Sequence, residues 1–234
     1  MANHKALRTA FLISGNGTTM EAAVMASQHH ADIRINPVVV ISSRPDVPGI
    51  DRARALNVPV EVVGKGDSLL EALKRHEVEF IAQTGWLPKT PPEVIDQYRG
   101  MIINQHPGRL PDFGGKGMYG TRVTCATIAF YWMTGEKDPW TASTIHHVTP
   151  EFDAGDLIQV ARLNILSHEG NLVEATRQTQ ERLLRVEHHN VISVLAHFGN
   201  DSVPRAKPAQ SFIDGFADVL YEAKRIAIKL FPKG

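Results

Sequence analysis

"TAFLISGNGTT" (residues 9–19) sets the reading of the fold. Five apolar or β-branched residues end at a glycine-rich turn, and an amphipathic stretch from Thr18 to about Gln28 follows. That is a buried strand, a tight turn and a helix. The unit then repeats. "INPVVVISS" (35–43), "VPVEVV" (58–63), "EFIAQTG" (79–85) and "GMIINQH" (100–106) read as strands. "GIDRARALN" (49–57), "SLLEALKRHE" (68–77) and "PPEVIDQYR" (91–99) read as the intervening helices, the last opened by prolines that a first helical turn tolerates. Strands alternating with helices require right-handed crossovers and a parallel sheet. Continuously apolar strands fit burial on both faces.

Beyond His106 the pattern changes. "PGRLPDFGGKGMYG" (107–120) is a glycine- and proline-rich loop, and a helix is expected over 121–134. "TASTIHHVT" (141–149) and "DLIQVARLNI" (156–165) read as strands whose short connection permits an antiparallel pair. A long amphipathic helix spans 171–199, and a last one is expected near 211–230. The expected fold is α/β: a Rossmann-like, mixed but mostly parallel sheet of about seven strands, with helices on both faces. The simplest division is a domain over 1–199 with a linker and helix, 200–234, appended to it.

The 234 residues suffice for one large α/β domain with a full core. Lys+Arg and Asp+Glu are both 25, so the balance gives no electrostatic case for nucleic acid or an anionic membrane as partner. Cys125 is the single cysteine, which excludes an internal disulfide and the zinc motifs built on paired cysteines. His29-His30 and His188-His189 lack ligand spacing with carboxylates, so no metal is expected. The apolar start is too short for a signal peptide and no run suits a membrane span. A soluble cytoplasmic protein, monomer or homodimer, is the default expectation.

Three places could carry chemistry. In "SGNGTT" (14–19) the turn Gly15, Asn16, Gly17, Thr18 and Thr19 offers free N–H groups at a helix N-terminus, which favour an anion. A tight turn with a threonine N-cap explains the same residues equally well. At the end of the fifth strand, Asn104 and His106 are two apart and project from one face. Ligands bind beyond the carboxyl ends of parallel strands, where both the strand end and the first turn lie. In "HHVTPEFDAGD" (146–156), Asp153 could fix the tautomer of an imidazole and raise its pKa. Alone it is more simply a turn residue. Of the adjacent His146 and His147, one must face the site, and His146 is taken as the supporting residue.

Four stretches together carry a family resemblance: "ISGNGTTMEA" (13–22), "INQHPGRLPDFGGKGMYG" (103–120), "STIHHVTPEFDAGDLI" (143–158) and "ATRQTQERLL" (175–184). In order and spacing they resemble the phosphoribosylglycinamide formyltransferases of purine biosynthesis. The resemblance implies transfer of a formyl group from 10-formyltetrahydrofolate, as cosubstrate, to the amine of glycinamide ribonucleotide. It assigns Asn104, His106 and Asp153 as the catalytic trio and the 15–19 turn to the substrate phosphate. It gives Gln178 and Glu181 to the nucleotide, and Trp86, Leu87, Pro88, Lys89, Val148 and Thr149 to the folate. Thr19 replaces a common asparagine, Arg109 follows "HPG" where small or apolar residues are usual, and the Trp86–Lys89 wall departs from the usual pattern. The alternatives are a 10-formyltetrahydrofolate hydrolase, a formyltransferase for another amine, and a non-catalytic folate- or nucleotide-binding homologue.

Overall fold

The computed structural model describes residues 5–64, 66–166 and 170–234. They divide into two compact units. The first comprises the described residues of 1–105, 147–150 and 191–205; the second comprises the described residues of 106–146, 151–190 and 206–234.

In the first unit the strands β1 (Leu7–Ile13), β2 (Ile35–Ser42), β3 (Val60–Val62), β4 (Phe80–Gln83) and β5 (Ile102–His106) run parallel in the order β3-β2-β1-β4-β5. The crossovers are α1 (Thr18–His29), α2 (Pro48–Ala55), α3 (Leu69–Arg75) and α4 (Pro92–Gln97). Ala10, Leu12, Val39, Ile41, Ile81 and Ile102 of the strands pack with Leu69, Leu73 and Val94 of the helices. Each of the leucine, isoleucine and valine side chains contributes about 1.5–3 kcal/mol when fully buried. The helices begin where local chemistry allows: α2 and α4 carry proline in the first turn, and Ser68 caps α3 by accepting from the Glu71 N–H.

The second unit holds α5 (Thr121–Thr134), β6 (Trp140–His147), β7 (Leu157–Asn164), the first part of α6 (Leu172–Gly199) and α7 (Ala217–Leu230). β6 and β7 pair antiparallel, from Trp140 opposite Asn164 to His146 opposite Leu157. Helix α5 is apolar almost all round and ends at Gly135 in the left-handed conformation. Its buried residues pack with Leu220, Ala223 and Ala227 of α7. Among the described residues seven strands, five of them parallel and β6 antiparallel to β7, give the mixed sheet that the sequence implies.

The last helix starts later than expected, at Ala217 rather than near 211. The Phe212 N–H and the Ser211 hydroxyl donate to the two Asp112 carboxylate oxygens, at 3.1 and 2.7 Å, and Gly215 has φ +81°. A backbone N–H spent on a carboxylate and a left-handed glycine both oppose an earlier start. No helix among the described residues is long and apolar enough to cross a membrane.

Candidate active site

His106 is the last residue of β5 and is almost completely buried, as is His146 near the end of β6. Between β6 and β7, Asp153 takes a left-handed backbone conformation, φ +56°, which aspartate tolerates better than most residues. Its Oδ1 lies 3.5 Å from His106 Nδ1 and 3.5 Å from His146 Nε2. Its Oδ2 accepts the Gly115 N–H at 2.9 Å. Burial by itself would raise the Asp153 pKa. His106, His146 and the Gly115 N–H outweigh it and bring it down to about 2. The carboxylate is therefore ionised throughout the physiological range.

His106 Nε2 lies 3.2 Å from the Phe113 carbonyl. A carbonyl only accepts, so this nitrogen carries the proton of the bond. Nδ1 then faces Asp153 and gains a charge-assisted contact when the ring is protonated. The sequence suggests a charged ring. Burial instead pushes the imidazole pKa below its ordinary value, and Asp153 pulls it up only in part. A ring under these opposed influences can give up and recover a proton, which suits acid–base work.

Small residues let the loop after β5 come this close. A Cβ on Gly114 would stand 2.8 Å from Asp153 Cβ and 2.5 Å from Leu110. One on Gly108 would stand 2.3 Å from Val123. The Thr144 hydroxyl, on β6, donates to the Gly108 carbonyl at 2.6 Å. Arg109 does not leave a mobile charge at the site. Its guanidinium stacks on Phe212 and Trp140, with centroid distances of 3.1 and 3.7 Å, and donates to the Tyr131 hydroxyl.

In the first unit, the turn 14–17 lies at the carboxyl end of β1. Gly17, not a threonine, is the N-cap of α1, with φ +69° and no side-chain cap. The helix thus starts with uncapped N–H groups, the condition for holding an anion. Gly49 supports this turn: its N–H donates to the Gly15 carbonyl at 3.2 Å, and a Cβ on Gly17 would stand 2.7 Å from Gly49 Cα. Ser14 Oγ shares a hydrogen bond with Ser43 and accepts the Leu87 N–H at 2.9 Å, tying the 86–89 stretch to the turn. Trp86 packs on the first unit's core, while Pro88 and Lys89 are exposed. Val148 donates its N–H to Ile102, and Thr149 is half-buried.

Asn104 pairs with Gln83 in the β4–β5 register, two residues before His106. Gln178 and Glu181 lie on α6, where Gln178 donates to Glu174 at 2.7 Å and Glu181 is exposed; the buried cluster does not include them. The structure thus brings together His106, His146 and Asp153. It adds the Phe113 carbonyl and the Gly115 N–H, which no side-chain pattern signals.

A buried histidine–aspartate cluster at the end of β5, with a glycine turn after β1, sits on a chain whose residues 7–195 match the formyl transferase family model. The chain belongs to the formyl transferase family. Over 90% of its length it is 25% identical to the phosphoribosylglycinamide formyltransferase of Haemophilus influenzae, covering 95% of that protein. Over 80% it is 25% identical to the chloroplastic phosphoribosylglycinamide formyltransferase of Arabidopsis thaliana, of which it spans 64%. The structure of glycinamide ribonucleotide transformylase 1 from Geobacillus kaustophilus superposes with a TM-score of 0.69 at 28% identity, covering 83% of this chain and 99% of that one. This formyl transferase chain therefore shares the mixed-sheet fold of those enzymes, and its residues after 195 lie beyond those the family model matches.

Proposed function

We propose that the protein transfers the formyl group of 10-formyltetrahydrofolate to the amine of glycinamide ribonucleotide. The observation that carries the reading is the Asp153 carboxylate, placed 3.5 Å from each of two buried imidazoles in a formyl transferase chain. The named relatives that match most of the chain support the acceptor.

The cosubstrate supplies an electrophilic formyl carbon. A bond forms from the amine nitrogen to that carbon, the carbon–nitrogen bond to the donor breaks, and one amine proton moves to the departing nitrogen. Asn104, through its amide N–H, and His106, through an Nε2–H that exchanges the Phe113 carbonyl for the substrate, donate to the formyl oxygen as negative charge grows there. One such donor is worth about 10²–10³ in rate. Asp153 orients the His106 ring and compensates its charge, so the ring can move the proton. Gly15–Thr19 receive the phosphate on uncapped N–H groups, and Gln178 and Glu181 bind the rest of the nucleotide. The folate lies against Trp86–Lys89, Val148 and Thr149. Thr84 Oγ1 and Trp86 Nε1 are buried without a hydrogen-bond partner among the described residues, which fits a stretch that finds its partners in a bound heterocycle. The reading includes a cytoplasmic enzyme.

His106→Ala and Asp153→Asn test it. Each is expected to lower formyl transfer at least a hundredfold while far-UV circular dichroism stays that of the wild type. A fully active His106→Ala protein would refute the assignment.

A further inference from the structure

Helix α7 lies outside residues 7–195, yet it reaches the catalytic loop. Lys224 Nζ donates to the Gly114 carbonyl at 3.0 Å. The Gly115 N–H, which donates to Asp153 Oδ2 at 2.9 Å, belongs to the same peptide group as that carbonyl. One planar amide thus joins a lysine ammonium to the Asp153 carboxylate. A cation on the oxygen side of an amide withdraws electron density and strengthens the N–H as donor, and hydrogen bonds in such chains reinforce one another. Gly114 and Gly115 make this possible, since a Cβ at 114 would collide with Asp153 and Gly115 has φ +99°.

We propose that Lys224 is a positioning residue of the formyl-transfer reaction: it polarises the Gly114–Gly115 peptide and so fixes Asp153 against His106. The proposal rests on the reading of Asp153 as a catalytic residue.

The contact is built into the fold rather than left to a mobile side chain. Lys224 is half-buried, and Ala223 and Ala227 on either side of it pack into the second unit's core. The segment carrying it is fastened to the same loop and to the start of α5 elsewhere. Asp112 takes the Ser211 hydroxyl and the Phe212 N–H, and Arg122 donates to the carbonyls of Phe231 and Pro232 at 2.9 and 2.6 Å. Burial pushes the Lys224 pKa below its ordinary value; the charged groups that face it are Asp112 of the loop and Asp153 of the β6–β7 connection, which oppose that and favour its ammonium form, and His106, whose protonation it opposes.

Lys224→Met, Lys224→Gln and Lys224→Arg separate charge from packing. Removal of the charge is expected to lower kcat about tenfold with little change in KM, the loss of one charge-assisted bond's advantage over a neutral one. Two spectroscopic readouts do not depend on turnover. In the methionine variant the Gly115 amide proton is expected to move upfield, and the His106 pKa to rise, because a nearby cation is gone. Glutamine keeps a donor without the charge and should behave like methionine; it also serves if the methionine variant does not fold. Arginine should restore both signals. A folded, uncharged variant with an unmoved Gly115 amide and an unmoved His106 titration overturns the proposal. Moved signals in a protein whose wild type transfers no formyl group would uphold the link to Asp153 and refute the functional reading instead.

Discussion

Glu187 offers a sharp test of how the second unit is held together. It lies on α6 with 5% of its surface exposed. Burial raises its pKa from 4.5 to about 7, and a hydrogen bond from Gln180 offsets only part of this. Gln180 is fixed in turn, its Oε1 accepting the Thr124 hydroxyl at 2.6 Å, so its amide N–H₂ is left to face the carboxyl. Because the folded pKa lies above the unfolded value, the group's contribution is fully present below pH 4.5 and is lost as pH rises through 7. A shift of about 2.5 units corresponds to about 3 kcal/mol. Glu187→Gln removes the titration while keeping the shape. Urea denaturation of both proteins at several values between pH 4 and pH 8 provides the assay. Wild type is expected to lose about 3 kcal/mol more than the variant across that range. The difference between the two curves is the readout, so the other titrating groups cancel. Parallel stability profiles would refute the raised pKa of a carboxyl buried in this core.

Asp153→Asn should show the opposite dependence. The folded pKa of about 2 lies below the ordinary 3.8, so its contribution of about 2 kcal/mol is present above pH 3.8 and disappears as pH falls through 2. Denaturation at pH 7 and pH 3 should show the variant's deficit shrinking; an equal deficit at both would contradict the ion-pair origin. Gly49→Ala places a Cβ 2.5 Å from Ile13 Cδ1 and 2.9 Å from the Gly15 carbonyl, so it should distort the 15–17 turn. The expected result is a KM for the phosphate-bearing substrate raised about tenfold or more with a smaller change in KM for the folate, and equal changes in both would count against a phosphate role for this turn. Cys125 is buried and its thiol pKa is raised by burial, so it should react with a thiol reagent only as the protein unfolds. Rapid labelling of the native protein would contradict that burial.

Periodicity made most of the fold legible. The five parallel strands and the β6–β7 pair fall where apolar runs and turn residues place them, and α5 occupies 121–134 as expected. Most strand boundaries lie one or two residues inside the apolar runs, while β1 and β6 begin earlier, at Leu7 and Trp140, since hydrogen-bond pairing and not hydropathy decides where a strand starts and stops. The start of α7 was not legible because Asp112, a hundred residues away, takes the Phe212 N–H. Alternation along β5 puts Asn104 and His106 on one face, and the family resemblance adds Asp153 with His146 in support; the 3.5 Å contacts of Asp153 join it to the two histidines. Phe113, Gly115 and Lys224 were not legible: two act through backbone atoms, and Lys224 meets Gly114 across 110 residues with no repeating pattern to announce it. Arg109 departs from the usual small or apolar residue after "HPG", and its stacking on Phe212 and Trp140 depends on a segment whose course the sequence does not reveal.

The most direct measurement is release of tetrahydrofolate from 10-formyltetrahydrofolate by the wild-type protein, with and without glycinamide ribonucleotide. Formyl transfer to the nucleotide amine predicts release only when the nucleotide is present, with one formylated product formed per tetrahydrofolate. Equal release without the nucleotide, or none with it, would contradict that function.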